Sequence, residues 1–227
     1  MLSNLDDWWI MKKDEPHFLI IAGEASGDIH GANLVQALLD IYPKARFTGM
    51  GGARMRDAGV NTLFGIERMG TVGLVEIFSE FGHYFGVYRS LRREIASNKY
   101  TAVILIDYPT LNLRLARHSH KHDCPVYYFI SPQVWAWRKG RIKSMENSID
   151  TVITLFPFEG DVYKESKVNT CYVGHPLAYK LNGDINKKES EGENIDIALL
   201  PGSRRSEIVM LADEMIKAAK VLKEKNM

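Results

Sequence analysis

Short unbroken apolar runs alternate along this chain with stretches whose apolar residues recur every three or four positions. "HFLIIA" (17–22), "ARFTGMGG" (45–52), "TAVILID" (101–107), "PVYYFIS" (125–131), "TVITLF" (151–156) and "TCYVG" (170–174) have the length and flanking glycine or proline of buried strands. Between them, "NLVQALLDIY" (33–42) places apolar residues at 34, 35, 38, 39 and 41, a helical stripe for which Asp28 is the expected N-cap. Residues 75–96, 112–122 and 138–149 read as three further helices.

Strands that alternate with helices predict an α/β fold, a doubly wound parallel sheet covered on both faces. Such sheets bind ligands at the carboxyl ends of their strands. The glycine-rich and polar pieces fall there, at Gly23–Asp28, Gly49–Gly52, Asp107–Thr110, Ser131–Trp137 and Gly174–Pro176. "NGDINKKESEGENID" (182–196) is almost free of apolar residues and reads as a linker or exposed loop. One strand, a glycine turn and one helix follow, too little to bury a core. The expected organisation is therefore an extension at 1–16, a first domain at 17–181, a linker at 182–194, and the opening strand and helix of a second domain at 195–227.

Composition adds bounds. At 45% hydrophobic and 25% charged, the 227 residues can form a packed core. A formal charge of +1 supplies no field for nucleic acid, so no nucleic-acid partner is expected. Cys124 and Cys171 stand far apart without a CxxC pattern, as in a reduced intracellular chain. No apolar run is long enough to span a bilayer. The acids and lysines of "MLSNLDDWWIMKKDEP" do not fit a signal peptide, and Met11 is a second candidate start.

The candidate chemistry gathers at the expected ligand edge. In "IAGEASGDIHG" (21–31), Gly23, Gly27 and Gly31 recur every four residues around Ser26 and the acids Glu24 and Asp28. Glycines at a strand-to-helix turn bring backbone N–H groups close to a ligand. The acids suit a sugar hydroxyl or a proton transfer better than a phosphate; alternatively Asp28 only caps a helix and the glycines only turn the chain. Asp107 of "DYPT" is a candidate base or hydroxyl ligand. "SPQVWAWRKGR" (131–141) offers Gln133, the indoles of Trp135 and Trp137 for a sugar or acyl chain, and Arg138 for a phosphate. Glu159 and His175 follow two more strands as contact candidates. "LPGSRRSE" (200–207) sets Gly202, Ser203 and Arg204 at a helix start, a way to hold a diphosphate; Glu207 lies one residue too far for a capping box with Ser203. "HSHKH" (118–122) is a poor metal site, because helical residues two apart do not share a face. The aromatic stretch "FSEFGHYFGVY" (78–88) is a core stripe by default and also fits a surface that meets lipid.

"GEASGDIHGANL", "GMGGARM", "GLVEI", "SPQVWAWRKGRIK", "LFPFE", "YVGHPL" and "LLPGSRRSEI", in this order over residues 18–216, resemble the lipid A disaccharide synthase family. The resemblance implies an inverting glycosyltransferase of the two-Rossmann-domain (GT-B) type. It would transfer 2,3-diacylglucosamine from UDP-2,3-diacylglucosamine to 2,3-diacylglucosamine 1-phosphate, giving a β-1,6 disaccharide and UDP. It implies no metal and no cofactor, and a cytoplasmic enzyme peripheral to the inner membrane of a Gram-negative bacterium.

Under this resemblance Glu24, Asp28 and Asp107 are the candidate catalytic acids. Gly23, Ser26, Gly27, Gln133, Trp135, Trp137, Arg138, Glu159 and His175 are the candidate substrate contacts, and Gly202, Ser203, Arg204 and Glu207 the nucleotide side. Many members carry "DxPDF" where this chain has "DYPTL", so Thr110 stands at a commonly acidic position; either the base lies elsewhere or activity is lowered. The family's second domain also runs well past residue 227. An inactive remnant that still binds acylated sugar phosphate is the competing reading; a sugar-nucleotide epimerase fits "GEASGD" and Trp-Ala-Trp less well. Apolar surface on a partial second domain leaves a homo-oligomer open.

Overall fold

The alternating pattern becomes a seven-stranded sheet in which every adjacent pair is parallel. The computed structural model describes residues 15–66, 77–97, 99–132, 140–178, 197–202 and 205–224. The elements run β1 (His17–Ala22), α1 (Ala25–Ile41), β2 (Arg46–Gly51), α2 (Ala53–Asp57), β3 (Asn61–Gly65), α3 (Ile77–Ala96) and β4 (Ala102–Ile106). They continue with α4 (Pro109–His120), β5 (Val126–Phe129), α5 (Gly140–Met145), β6 (Thr151–Thr154), α6 (Glu159–Tyr163), β7 (Asn169–Tyr172) and α7 (Arg205–Glu224). The strand order is β3-β2-β1-β4-β5-β6-β7. The chain winds outward from β1 to β3, crosses back, and winds the other way from β4, so the order reverses between β1 and β4.

Strand side chains alternate between two faces, and both faces are covered. Leu19, Ile21, Val103, Leu105, Val126 and Tyr128 pack with Leu91 and Ile95 of α3 and Leu111 and Leu115 of α4. Phe18, Ile20, Ala22, Phe47, Ile104 and Ile106 pack on the other side with Val35 of α1 and Met55 of α2. Each fully buried aliphatic chain contributes roughly 1.5–3 kcal/mol, which fixes the register: a slip by one residue would exchange the two cores.

Three expectations need correction. β3 was not foreseen, because "NTLFG" is a short edge strand with no apolar run and only partial burial. The first helix starts at Ala25 with Glu24 as its N-cap residue, so Asp28 lies inside its first turn and does not cap it. The strand expected before Gly202 is absent: residues 197–202 carry no regular structure, and Leu200 is 82% exposed. A strand exists only with a partner to bond, and among the described residues none pairs with this segment. By contacts the chain divides into residues 1–178 and 179–227. The expected extension and linker lie mostly outside the described residues, as do Gln133, Trp135, Trp137, Arg138, Ser203 and Arg204.

Strands β1 and β2 approach closely at Gly49, where a Cβ would overlap the backbone carbonyl of Ile20. Gly86, by contrast, lies on an exposed part of α3 with open space around it. Gly49→Ala is expected to lower stability by about 3 kcal/mol or more. Gly86→Ala should raise it by about 0.5–1 kcal/mol through helix propensity. Urea unfolding followed by circular dichroism checks both signs; equal, small effects would contradict the pairing at Gly49.

Candidate active site

The reversal of strand order sets the ends of β1 and β4 side by side. Ala22 is in register with Ile106, so Gly23 and Asp107 emerge together at the carboxyl edge, the position where doubly wound sheets form a ligand crevice. The turn after β4 is strained. Asp107 and Tyr108 take φ of 48° and 47°, left-handed values that cost a non-glycine residue stability. Ile130, the residue after the neighbouring β5, has a φ of 67°, more unusual still for a β-branched residue.

Hydrogen bonds hold the strained turn in place. The buried Asn112 amide donates to the carbonyls of Ile106 (3.2 Å) and Asp107 (2.7 Å). The Tyr128 hydroxyl donates to the same Asp107 carbonyl at 2.6 Å, and the Asp107 N–H donates to Phe129 at 3.0 Å. The Tyr108 ring lies against Gly23, where any Cβ would overlap it. The carboxyl of Asp107 is thus presented from a fixed backbone. Burial raises its pKa above the ordinary carboxylate range; a hydrogen bond from the Tyr108 backbone and the nearby His30 oppose that rise, while the charge of Glu24 adds to it.

The glycines of "GEASGDIHG" serve packing. A Cβ at Gly27 would come within 3.2 Å of Ala22 Cβ, and one at Gly31 within 2.6 Å of Met55 Sδ. Their four-residue spacing puts both on the face of α1 that meets the sheet and α2. Asp28 bridges two loops. One oxygen, Oδ1, accepts N–H bonds from Gly52 (2.7 Å) and Met55 (3.0 Å), and Oδ2 accepts from Arg54 (3.1 Å). It therefore caps α2, the helix beside its own, and Gly52 leaves the room it needs.

The remaining candidates divide. Glu24 and Ser26 are exposed at the mouth of the crevice. Glu159 is 5% exposed and its Oε2 accepts from the N–H groups of Leu155 (2.8 Å) and Phe156 (2.9 Å), so it closes its own turn. The Nδ1 of His175 accepts from Leu177 N–H at 3.1 Å, and its ring rests 5.6 Å from that of Phe156. Phe156 and Phe158 stack at 5.7 Å and are about half exposed at the same edge. In the second unit, Gly202 has φ of 111° and the Glu207 side chain folds onto it, at the point where a diphosphate was expected.

Sequence reasoning passed over His30. Its half-buried ring meets Phe129 edge-on at 5.9 Å. Burial lowers its pKa, the charge of His175 lowers it further, and Asp107 pulls it back. Nothing in "DIHGAN" marks it, because a half-buried histidine in an amphipathic helix reads as an ordinary polar position. Asn112 was also missed, three residues after Pro109 in a stretch that reads as plain amphipathic helix. Of the histidines of "HSHKH", the rings of His118 and His122 meet at 4.6 Å, and among the described residues no three ligating side chains converge.

Fold and edge chemistry define a Rossmann-like α/β domain with an acidic crevice at the reversal of its strand order. A family model for lipid-A-disaccharide synthetase matches residues 18–227, and the chain belongs to that family. It is 42% identical over 214 residues to the lipid-A-disaccharide synthase of Geobacter sulfurreducens, covering 91% of this chain and 56% of that protein. To the synthase of Syntrophus aciditrophicus it is 42% identical over 212 residues, 91% of this chain and 55% of that one. To that of Coxiella burnetii it is 39% identical over 210 residues, 90% and 56%. The chain thus spans a little over half the length of these relatives. A solved NAD-binding oxidoreductase from Klebsiella pneumoniae aligns at a TM-score of 0.39 and 11% identity, covering 77% of this chain and 39% of that one, too distant to carry an argument.

The three N–H bonds to Asp28 make its removal a structural event. Asp28→Ala is expected to cost about 3 kcal/mol in urea unfolding, and Asp28→Asn, which loses one acceptor oxygen, less. An Asp28→Ala variant as stable as the parent would return Asp28 to a role in proton transfer.

Proposed function

We propose that this chain supplies the acceptor side of a glycosyltransferase of lipid A biosynthesis. The reaction is transfer of 2,3-diacylglucosamine from its UDP form to the 6-hydroxyl of 2,3-diacylglucosamine 1-phosphate. The observation that carries the reading is the half-buried carboxyl of Asp107, its pKa raised by that burial, on a strained turn at the reversal point, in a chain that belongs to the lipid-A-disaccharide synthetase family. A base there takes the hydroxyl proton as the oxygen attacks the donor's anomeric carbon; the bond to UDP breaks, and the diphosphate leaves with its electron pair. Burial makes Asp107 a stronger base than a solvated carboxylate.

In this reading Glu24 and Ser26 meet the acceptor sugar, and His30 sets the field at Asp107. The Phe156–Phe158 pair and His175 give an apolar wall for a sugar face or acyl chain. Asp28 and Glu159 act as positioning residues, because their carboxylates are engaged by backbone N–H groups. Gly23 and Gly27 let the turn and α1 close on the sheet. Gln133, Trp135, Trp137 and Arg138 remain substrate contacts by resemblance, and Gly202, Ser203, Arg204 and Glu207 remain the diphosphate side. Acylated substrates place the protein at the cytoplasmic surface of the inner membrane; among the described residues no helix is long and apolar enough to cross it.

Thr110, at a position that the resemblance makes commonly acidic, favours a second reading, an acceptor-binding unit that does not itself catalyse. A UDP-release assay with both substrates, beside calorimetric binding of the acceptor, separates the two. UDP release that falls about 10²–10⁴-fold in Asp107→Asn supports transfer with Asp107 as base. Activity should then decline with acid through a midpoint above the ordinary carboxylate range, because the base must be unprotonated and burial has raised its pKa. Acceptor binding without UDP release supports the second reading, and neither result overturns both.

A further inference from the structure

A basic groove lies at the opposite edge of the sheet. The C-terminal halves of α3 and α4 enclose a cavity of about 500 Å³ whose wall carries Arg92, Arg114, Arg117, His118, His120 and Lys121. A second cavity of about 270 Å³ shares Arg92 and His118 and adds Arg89 and Arg93. Helix α4 leaves the carboxyl edge at Pro109 and runs back along β4 for 12 residues. At about 1.5 Å per residue, its last turns lie some 15 Å from Asp107.

Among the residues that line this groove the charge has no acidic counterpart. Among the described residues no Asp or Glu lines either cavity, which leaves six permanent cations together in a chain whose formal charge is only +1. Two acids close by in sequence are engaged elsewhere. Glu94 pairs with Lys99 at 2.6 Å and accepts from the Tyr100 hydroxyl at 2.7 Å, and Glu146 accepts from Lys167 N–H at 3.4 Å. Arg89 and Arg93, Arg114 and Arg117, and Arg117 and Lys121 are like charges three or four residues apart, each pair opposing its own helix.

The Arg92 guanidinium is held in position, and Arg117 Nε donates to the Leu113 carbonyl at 3.3 Å. Arg92 Nε donates to His118 Nδ1 at 3.3 Å, while the other ring nitrogen of His118 lies 3.1 Å from the Arg92 carbonyl. The pattern requires a neutral imidazole, and burial and the Arg92 charge lower the pKa of His118 accordingly. The Tyr88 ring supports the same guanidinium at 5.6 Å. A fixed fork of donors in a concave, acid-free wall matches the oxygens of a phosphate. Its compact shape suits one phosphate-bearing group better than an extended nucleic acid.

We propose that the α3–α4 groove is a phosphate-binding site, separate from the crevice at Asp107, for a phosphate carried by a lipid headgroup or by a soluble phosphoester. The inference does not depend on the transferase reading. It is tested with the full chain and the variant Arg92→Ala/Arg114→Ala/Arg117→Ala, all exposed positions, with Lys217→Ala on α7 as a charge control and thermal unfolding to verify the fold. The probes are pyrophosphate by calorimetry, and sedimentation with phosphatidylcholine vesicles with and without phosphatidylglycerol. Pyrophosphate binding weakened about tenfold or more in the triple variant alone supports a soluble phosphoester. Binding only to the anionic vesicles, lost in the same way, supports a lipid headgroup. Binding to neither probe, or binding that the triple variant retains, overturns the proposal.

Discussion

The left-handed turn at Asp107–Tyr108 is the constraint on which the rest of the site depends. Two consecutive non-glycine residues in that conformation persist only because their surroundings over-determine them. Asn112 and Tyr128 hold the Asp107 carbonyl, and the Tyr108 ring fills the space that Gly23 leaves by lacking a side chain. The same geometry fixes the Asp107 backbone at the carboxyl edge, where the Tyr108 N–H bonds its carboxyl. Stability spent on the turn becomes preorganisation of one acid.

The neighbouring loops are tied to that turn through close packing. Gly27 lets α1 lie on Ala22 and Ile106, the residues that precede Gly23 and Asp107. Asp28, one residue later, reaches across to cap α2 and so joins the loop after β1 to the loop after β2. A motif that reads as a ligand loop is therefore in large part a packing device. Its two acids separate by environment: Asp28 is buried against backbone donors, and Glu24 is exposed at the mouth.

Most strands and the two-faced core were legible because fully buried parallel strands are unbroken apolar runs, as in "TAVILID" and "HFLIIA". β3 was not, since an edge strand needs no such run. The strand expected before the turn at Gly202 failed for the reverse reason: an apolar run makes a strand only when it has a partner, and residues 197–202 have none among the described residues. Candidate site residues were legible as types and as positions after strands. Their roles were not, because sequence does not show that Asp28 meets the backbone of residues 52–55 or that Glu159 folds back on residues 155 and 156. His30 and Asn112 became visible only once α1 and α4 were placed against the ends of β1, β4 and β5.

The central claim is that burial on a fixed turn makes Asp107 the basic carboxylate of this crevice. A carbon-13 NMR titration of the Asp107 carboxyl, assigned by its loss in Asp107→Asn, tests it directly. The account predicts a midpoint above the ordinary carboxylate range, falling back toward that range in Asn112→Ala, where the turn is released. A midpoint at or below the ordinary range in the parent protein would contradict it.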